Sequence, residues 1–320
     1  MRYLERRVLH ATFLMIAASV LCFLFTDLAP GTFFDEMKLN PQISSETVAA
    51  LRSQYGLNRP LPLRYLDWLK SVFRGQWGYS FAYNSPVRGL LTTRARNTLV
   101  LTTSAVVLAW LLALPLGLWS AAHPEGWMDR LCVGSTSALL AIPEIVLVLG
   151  LLCFAMHSHL LPVGGMVSPQ FGDLAFWAKL EDLGMHAVIP VAALVLAGLP
   201  QLIRHVRSSM MRALGAPFVQ AARGHGISTL RRLVRYALPA AASPLISLFG
   251  LSFGGLLSGS LLVEAVTGWP GLGPLLLEAT LARDMYVVVD VVMLSTTFMI
   301  AGNLLADLML VAVDPRTRTA

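Results

Sequence analysis

Glu144 follows Pro143 inside the apolar run 131–155, where a carboxylate is expensive and marks a functional site by default. Along a solute path it would meet an amino group. The plainer alternatives are an offset run that leaves Glu144 near the edge, or a neighbouring helix that satisfies it. Asn303 and Asp307, one helical turn apart in the run 286–313, could hold an ion or substrate, although an i,i+4 polar pair also joins helices within a bundle. His157 and His159 flank one residue and could begin a nickel or zinc site. No third ligand is evident, though His186 would be outside as well, and a place at a membrane edge is the simpler reading. Gly250, Gly254 and Ser258 recur every four residues, with Gly255 and Gly259 beside them. Small residues let helices approach closely, yet Gly254 and Ser258 could also line a wide pore. Cys22, Cys132 and Cys153 lie in apolar runs and read as packing residues. The chain has no Gly-x-x-x-x-Gly-Lys-Ser/Thr phosphate loop, no Gly-x-Ser-x-Gly and no His-Glu-x-x-His. An internal ATPase site and the commoner hydrolase motifs are therefore not expected.

The elements that must position these residues are membrane helices. Of 320 residues, 56% are hydrophobic and 13% are charged, whereas soluble domains are about a quarter charged. Such a chain cannot cover a soluble surface, but its flanks can face lipid. About 20 apolar residues cross the roughly 30 Å hydrocarbon layer at about 1.5 Å each. Six runs qualify: 8–28, 98–121, 131–155, 187–208, 240–263 and 286–313. The first reads as a retained span, not a signal peptide, because Asp27-Leu28-Ala29-Pro30 offers no small-residue cleavage site.

The net charge of +6 fits the anionic face of a membrane better than nucleic acid, because the positive residues lie between apolar runs. Arg2, Arg6 and Arg7, then Arg130, then the acid-free series Arg204, Arg207, Arg212, Arg223, Arg231, Arg232 and Arg235, then Arg316 and Arg318, all fall on one side of a six-span chain. The positive-inside rule makes that side, with both termini, cytoplasmic. The segment 29–97 then lies outside. There Ser45 reads as the N-cap of a short helix with Val48, Leu51 and Tyr55 on one face, ended by Gly56. Arg59-Pro60-Leu61-Pro62 reads as a stiff connector. A second helix follows, carrying Tyr65, Leu66, Trp68, Leu69, Val72 and Phe73, to lie in the interface or pack as a cap. The segment 157–186 reads as an outer loop.

The loop between the fourth and fifth runs is the most informative. Pro217 suits the first turn of a helix and Gly226 its left-handed end. Between them Phe218 stands beside the small Ala221 and Ala222. A second amphipathic helix over 228–236 leads to Pro239. A short helix with a small-residue face and an exposed aromatic suits docking into another protein's groove.

The spacing Ala221-Ala222, Gly226, Tyr236, Leu238-Pro239 resembles the signature of ATP-binding-cassette importer permeases, and more narrowly those of the dipeptide, oligopeptide and nickel class. Four further blocks resemble that class in its own order. They are Arg52 to Pro62 with Tyr65 and Trp68-Leu69; Arg74-Gly75 with Gly78-Tyr79-Ser80; Val263 to Gly273; and Asp314-Pro315-Arg316. Three departures stand out. Gln220 replaces the acid of the wider signature, Ala216-Pro217 replaces the acid usual before the aromatic, and Gly224 stands where a helix former is usual.

The resemblance implies an all-α integral membrane protein of six transmembrane helices, type I importer permease-like, in the cytoplasmic (inner) membrane. It implies a first span over 1–28, an extracytoplasmic helical segment over 29–97, a permease core over 98–313 with a coupling helix at 216–226, and a tail at 314–320. Its partners would be a second homologous permease, two ATP-binding subunits carrying ATP and Mg, an extracytoplasmic substrate-binding protein, and membrane lipid. The chain itself would bind no cofactor. The coupling contact would fall on Phe218, Val219, Gln220, Ala221, Ala222, Arg223 and Gly226, with Leu238 and Pro239 behind. Glu144, Gly254 and Ser258 are candidates for the pathway. Glu264, Trp269, Pro270, Gly271 and Gly273 are candidates for the outer mouth or binding-protein contact. An ion-coupled transporter would need midplane acids beyond Glu144 and often inverted repeats. A membrane-embedded hydrolase would need a nucleophile and base within the spans.

Overall fold

The computed structural model describes residues 2–29, 31, 33–37, 44–54 and 58–313. The expectations for Tyr55, Gly56, Asp314, Pro315, Arg316 and Arg318 lie outside the described residues, as do the side chains of Arg2, Ser45 and Leu51. In chain order the elements are α1 (Arg2–Leu28), α2 (Phe33–Met37), α3 (Ser45–Gln54), α4 (Leu61–Phe73), the antiparallel pair β1 (Tyr79–Ser80) and β2 (Ser85–Pro86), α5 (Val87–Ala122), α6 (Trp127–Leu140), α7 (Glu144–Ser158), a 3-10 turn at Phe171–Asp173, α8 (Phe176–Leu214), α9 (Pro217–Gly224), α10 (Thr229–Arg232), a π turn at Leu233–Ala237, α11 (Leu238–Ala240), α12 (Ala242–Thr267), α13 (Leu272–Leu281) and α14 (Met285–Val313).

Among the described residues, α1, α5, α8, α12 and α14 are long and apolar enough to cross a membrane. The third run of the sequence is not one straight helix. It is α6 and α7 bent by 99° at the break 141–143. The cause is Pro143, which has no N–H to continue a ladder and pushes Ile142 away from helical geometry. Glu144 is consequently the first residue of α7, directly after the bend. Two other boundaries also move. α5 begins at Val87, well before 98. α8 begins at Phe176, so the last third of the expected outer loop 157–186 is helix. Pro115, Pro190 and Pro200 lie inside these helices, as membrane helices tolerate.

The chain divides into two compact units. Among the described residues, the first comprises 98–269 and 298–313 with two residues at the N-terminus, 2 and 3. Its core gathers the fully buried Ala193, Leu194, Val206 and Met210 of α8, Ala105, Ala109 and Ala113 of α5, and Val263 of α12. Trp110 sits at the edge of that core and its Nε1 donates to Ser252 Oγ at 2.9 Å, so the buried indole is satisfied. α12 meets α14 through glycines. A Cβ on Gly250 would lie 2.6 Å from Ala306 Cβ, one on Gly254 2.9 Å from Met299 Cγ, and one on Gly302 2.6 Å from Phe253 Cδ1. The four-residue small pattern of α12 is therefore a close contact within the chain. In the same unit Arg207 of α8 clasps Asp129 of α6, with Nε–Oδ1 at 2.7 Å and Nη2–Oδ2 at 2.8 Å. Ser120 of α5 also hydrogen-bonds to this carboxylate.

The second unit comprises Leu4–Asn97 and Pro270–Thr297. Phe23 of α1, Trp68 of α4 and Val289 of α14 form its core, with Tyr65, Leu69 and Val72 packed on it. α4 is thus packed on α1 and α14, while its Leu63, Leu66 and Phe73 remain exposed. Trp68 Nε1 donates to Asp290 Oδ1 at 3.0 Å, and the buried Asp284 accepts from Ser80 Oγ at 2.7 Å and Ala82 N–H at 3.1 Å. The Tyr83 phenol, held against Glu278, is pushed up to about 12 by burial and then by that hydrogen bond. α3 is capped one residue earlier than the sequence predicts: Ser44 Oγ accepts the Thr47 N–H at 3.1 Å, the usual reach from cap to third helical residue.

Candidate functional site

α9 is a short helix with both ends fixed. Pro217 is its first residue, where a missing N–H costs nothing. At its other end Gly226 takes φ +72°. Its N–H donates to Arg223 O at 3.0 Å and Ile227 N–H reaches back to Ala222 O at 3.2 Å, the paired bonds of a Schellman cap. Gln220 Nε2 donates to Leu214 O at 2.7 Å, which ties α9 to the last turn of α8.

The two faces of α9 differ. Val219 (1% exposed) and Ala222 (6%) are buried within the chain, whereas Phe218 is 52% exposed. Gln220, Ala221, Arg223, Gly224 and Gly226 are also exposed. The residues grouped from sequence as one contact set thus split by burial. Val219 and Ala222 hold the helix in place, and Phe218 and Ala221 are presented.

Behind α9 the chain passes through α10 into the π turn, where Leu238 N–H donates to Leu233 O, five residues back. Pro239 follows and has no N–H to give, so a regular ladder cannot run through this point. Leu238 packs against the core of the first unit, and Pro239 is exposed.

A cavity of about 410 Å³ lies in the same unit. Its polar groups are Glu144 from α7, Gln201 and His205 from α8, and Ser252 from α12. Gly255 and Gly259 of α12 form part of its wall. A Cβ on Gly259 would lie 2.8 Å from Glu144 Oε1, so the carboxylate rests directly on the backbone of α12. Glu144 also stands in the first turn of α7, where a helix favours negative charge. A carboxylate, an imidazole and an amide around one hollow can accept from an ammonium group and satisfy a peptide-like amide. Gln201 and His205 were not singled out in the sequence. The available signal is their i,i+4 spacing, which puts both on one face of a helix, although Arg204 and Arg207 beside them mask it. Gly254 and Ser258 do not join this cavity. Gly254 is buried against Met299, and Ser258 is exposed with its hydroxyl donating to Gly254 O at 3.1 Å.

The segment after α12 is a packed corner. Glu264 and Trp269 are wholly buried, Gly271 and Gly273 are buried too, and Pro270 is half-buried. Gly268 takes φ +67° and ends α12, and Trp269 N–H returns to Glu264 O at 3.0 Å. Pro270 O accepts from Asn97 Nδ2 at 2.8 Å. Gly165 N–H donates to Thr267 O at 3.1 Å, a pairing the sequence does not announce. Within the chain these residues pack; they do not present a free surface. Asp182 receives the nearby His186, whose Nδ1 lies 3.6 Å from its carboxylate. Among the described residues no three His, Cys, Asp or Glu converge as a metal set.

The fold is that of a type I ABC importer permease. The inward-facing MetNI methionine ABC transporter aligns with a TM-score of 0.55 at 16% identity, over 70% of this chain and 96% of that one. Residues 113–319 match the family described as "Binding-protein-dependent transport system inner membrane component", and residues 1–102 match its N-terminal counterpart. Full-length relatives include the oligopeptide transport system permease protein AppB of Bacillus subtilis (strain 168), 31% identical over 98% of both chains. The dipeptide transport system permease protein DppB of Escherichia coli (strain K12) is 32% identical over 95% of this chain and 94% of its own. The chain belongs to the family of inner membrane components of binding-protein-dependent transport systems: it is a multi-pass membrane permease.

Proposed function

We propose that this permease forms half of the pathway of an ATP-driven importer for peptides, and that α9 is the lever through which separate ATPase subunits move it. The observation that carries the reading is the capped, stitched helix with Phe218 and Ala221 exposed. A helix fixed at both ends transmits a displacement where a loose one absorbs it. The names of the oligopeptide and dipeptide permeases above support a peptide substrate. The arginine series 204–235 supports a cytoplasmic position for α9 and for both termini. A second permease would complete the pathway, and an extracytoplasmic binding protein would deliver the solute.

The Glu144 cavity gives the proposed pathway its chemistry. Its carboxylate meets the terminal ammonium of a peptide, with Gln201 and His205 available to the first amide. The test is uptake by the assembled transporter in proteoliposomes. Cysteines at 218 and 221 should cross-link to an ATPase subunit, and Ala221→Arg should abolish ATP-dependent uptake with membrane insertion intact. Full uptake by Ala221→Arg, with no cross-link from either position, overturns the lever assignment. Glu144→Gln should weaken competition by free dipeptides but leave N-acetylated dipeptides unchanged. An equal effect on both removes the ammonium contact.

A further inference from the structure

We propose that the second unit carries a site for an anionic phospholipid at the end of α1. A cavity of about 740 Å³ lies there, with one wall built from Leu21, Cys22 and Phe25 of α1 and from Val288 and Val292 of α14. Leu21 and Phe25 are exposed, as expected of residues facing acyl chains. The hollow therefore opens along the flank of two membrane helices.

Its rim is cationic. Arg52, Arg64 and Arg283 line it, against Asp27 and, bound to Arg52 at 3.5 Å, Asp35. Three guanidiniums thus face two carboxylates. Arg64 spends one terminal nitrogen on Asp27 at 2.9 Å and the other on the Met285 thioether at 2.9 Å, a weak acceptor. Its Nε and that of Arg52 are buried without a hydrogen-bond partner among the described residues. Arg283 takes part in no ion pair among the described residues, and its guanidinium lies over Gly31, where any Cβ would collide with it. A buried N–H without an acceptor is costly, so the Nε groups of Arg52 and Arg64 call for one; a phosphate with its paired acceptor oxygens supplies it bidentately, and the exposed Arg283 adds positive charge beside them.

An apolar trough ending in excess arginine matches one molecule in two places: an acyl chain in the trough and a phosphate at the rim. A free anion would leave the apolar wall exposed, and an uncharged amphiphile would leave the buried Nε groups of Arg52 and Arg64 without an anionic acceptor. The site would bind lipid whether or not the lever and pathway assignments hold, so the two readings fail separately.

The test uses the assembled transporter, purified from membranes, re-equilibrated with equal amounts of phosphatidylglycerol and phosphatidylcholine, and read by native mass spectrometry of retained lipid. Both lipids offer a phosphate, but phosphatidylcholine also brings a quaternary ammonium against the arginine rim, so phosphatidylglycerol should be retained in preference by about tenfold. Arg283→Gln should bring the two lipids to parity, Arg283→Lys should restore part of the preference, and Val288→Trp should reduce retention of phosphatidylglycerol by filling the trough. Assembly with the partner subunits checks that each variant is folded. Excess inorganic phosphate should not displace the lipid. Equal retention of both lipids by the unaltered protein, unchanged preference in both Arg283→Gln and Val288→Trp, or displacement by phosphate overturns the proposal.

Discussion

The Gln220 amide donates to the Leu214 carbonyl at 2.7 Å, a bond that an ionised carboxylate at the same position would lose and replace with repulsion. Gln220→Glu should therefore loosen the joint between α8 and α9 by about 1 kcal/mol. The expected readout is more ATP hydrolysed per solute moved, with ATPase binding retained. Gln220→Ala should fall in the same direction without the repulsion. At this scale the sequence was informative about position and silent about orientation. Phe218, Val219, Ala221 and Ala222 could be assigned to one helix from Pro217 and Gly226, but which pair faces outward depends on how α9 lies on α8 and the π turn. Residues distant in the chain decide that. Val219 and Ala222 turned inward, so Ala222→Arg tests folding of the lever, and Ala221→Arg tests its docking. Glu144 was legible as costly and out of place. Its companions Gln201 and His205 come from another helix, and a single run of letters does not show that α7 and α8 close around one hollow.

Elements were readable wherever one residue type forces geometry. Gly226 holds φ +72°, and a side chain there costs about 1–2 kcal/mol. Gly226→Ala should fray the end of α9, lowering coupled uptake with little change in the abundance of the inserted protein. Gly226→Pro should do so more severely, because the Gly226 N–H that bonds Arg223 is removed. Uptake at the unaltered level in both variants would show that a firm end to α9 is dispensable. The bend between α6 and α7 followed from Pro143, yet a search for about 20 apolar residues reads straight through it, because hydropathy ignores the backbone. The same search cut α8 short. Lys179, Glu181 and Asp182 look like loop residues, but helices tolerate charge where one face remains wet, and α8 continues through them from Phe176.

Across the first unit, one clasp joins three helices: Ser120 of α5, Asp129 of α6 and Arg207 of α8. Only 5% of the Asp129 side chain is exposed. Removing Asp129 leaves Arg207, 26% exposed, without its partner, and costs about 1–3 kcal/mol because water reaches part of the orphan charge. Asp129→Ala should lower the thermal unfolding midpoint in detergent, and Asp129→Ala with Arg207→Met should recover much of the loss, since no orphan charge remains. A double variant as unstable as the single one would show that shape, not charge, dominates at this joint. The glycine contact has a different reach. Because Gly250, Gly254 and Gly302 leave no room for even a methyl group, α12 and α14 touch nearly spine to spine over that stretch. Two rods fused so closely cannot slide or splay without opening a void, so they travel as one beam. Any alternation of access must then bend elsewhere in the chain. A disulfide tether between α12 and α14 should leave transport running, whereas a tether across the angle at 141–143 should stop it.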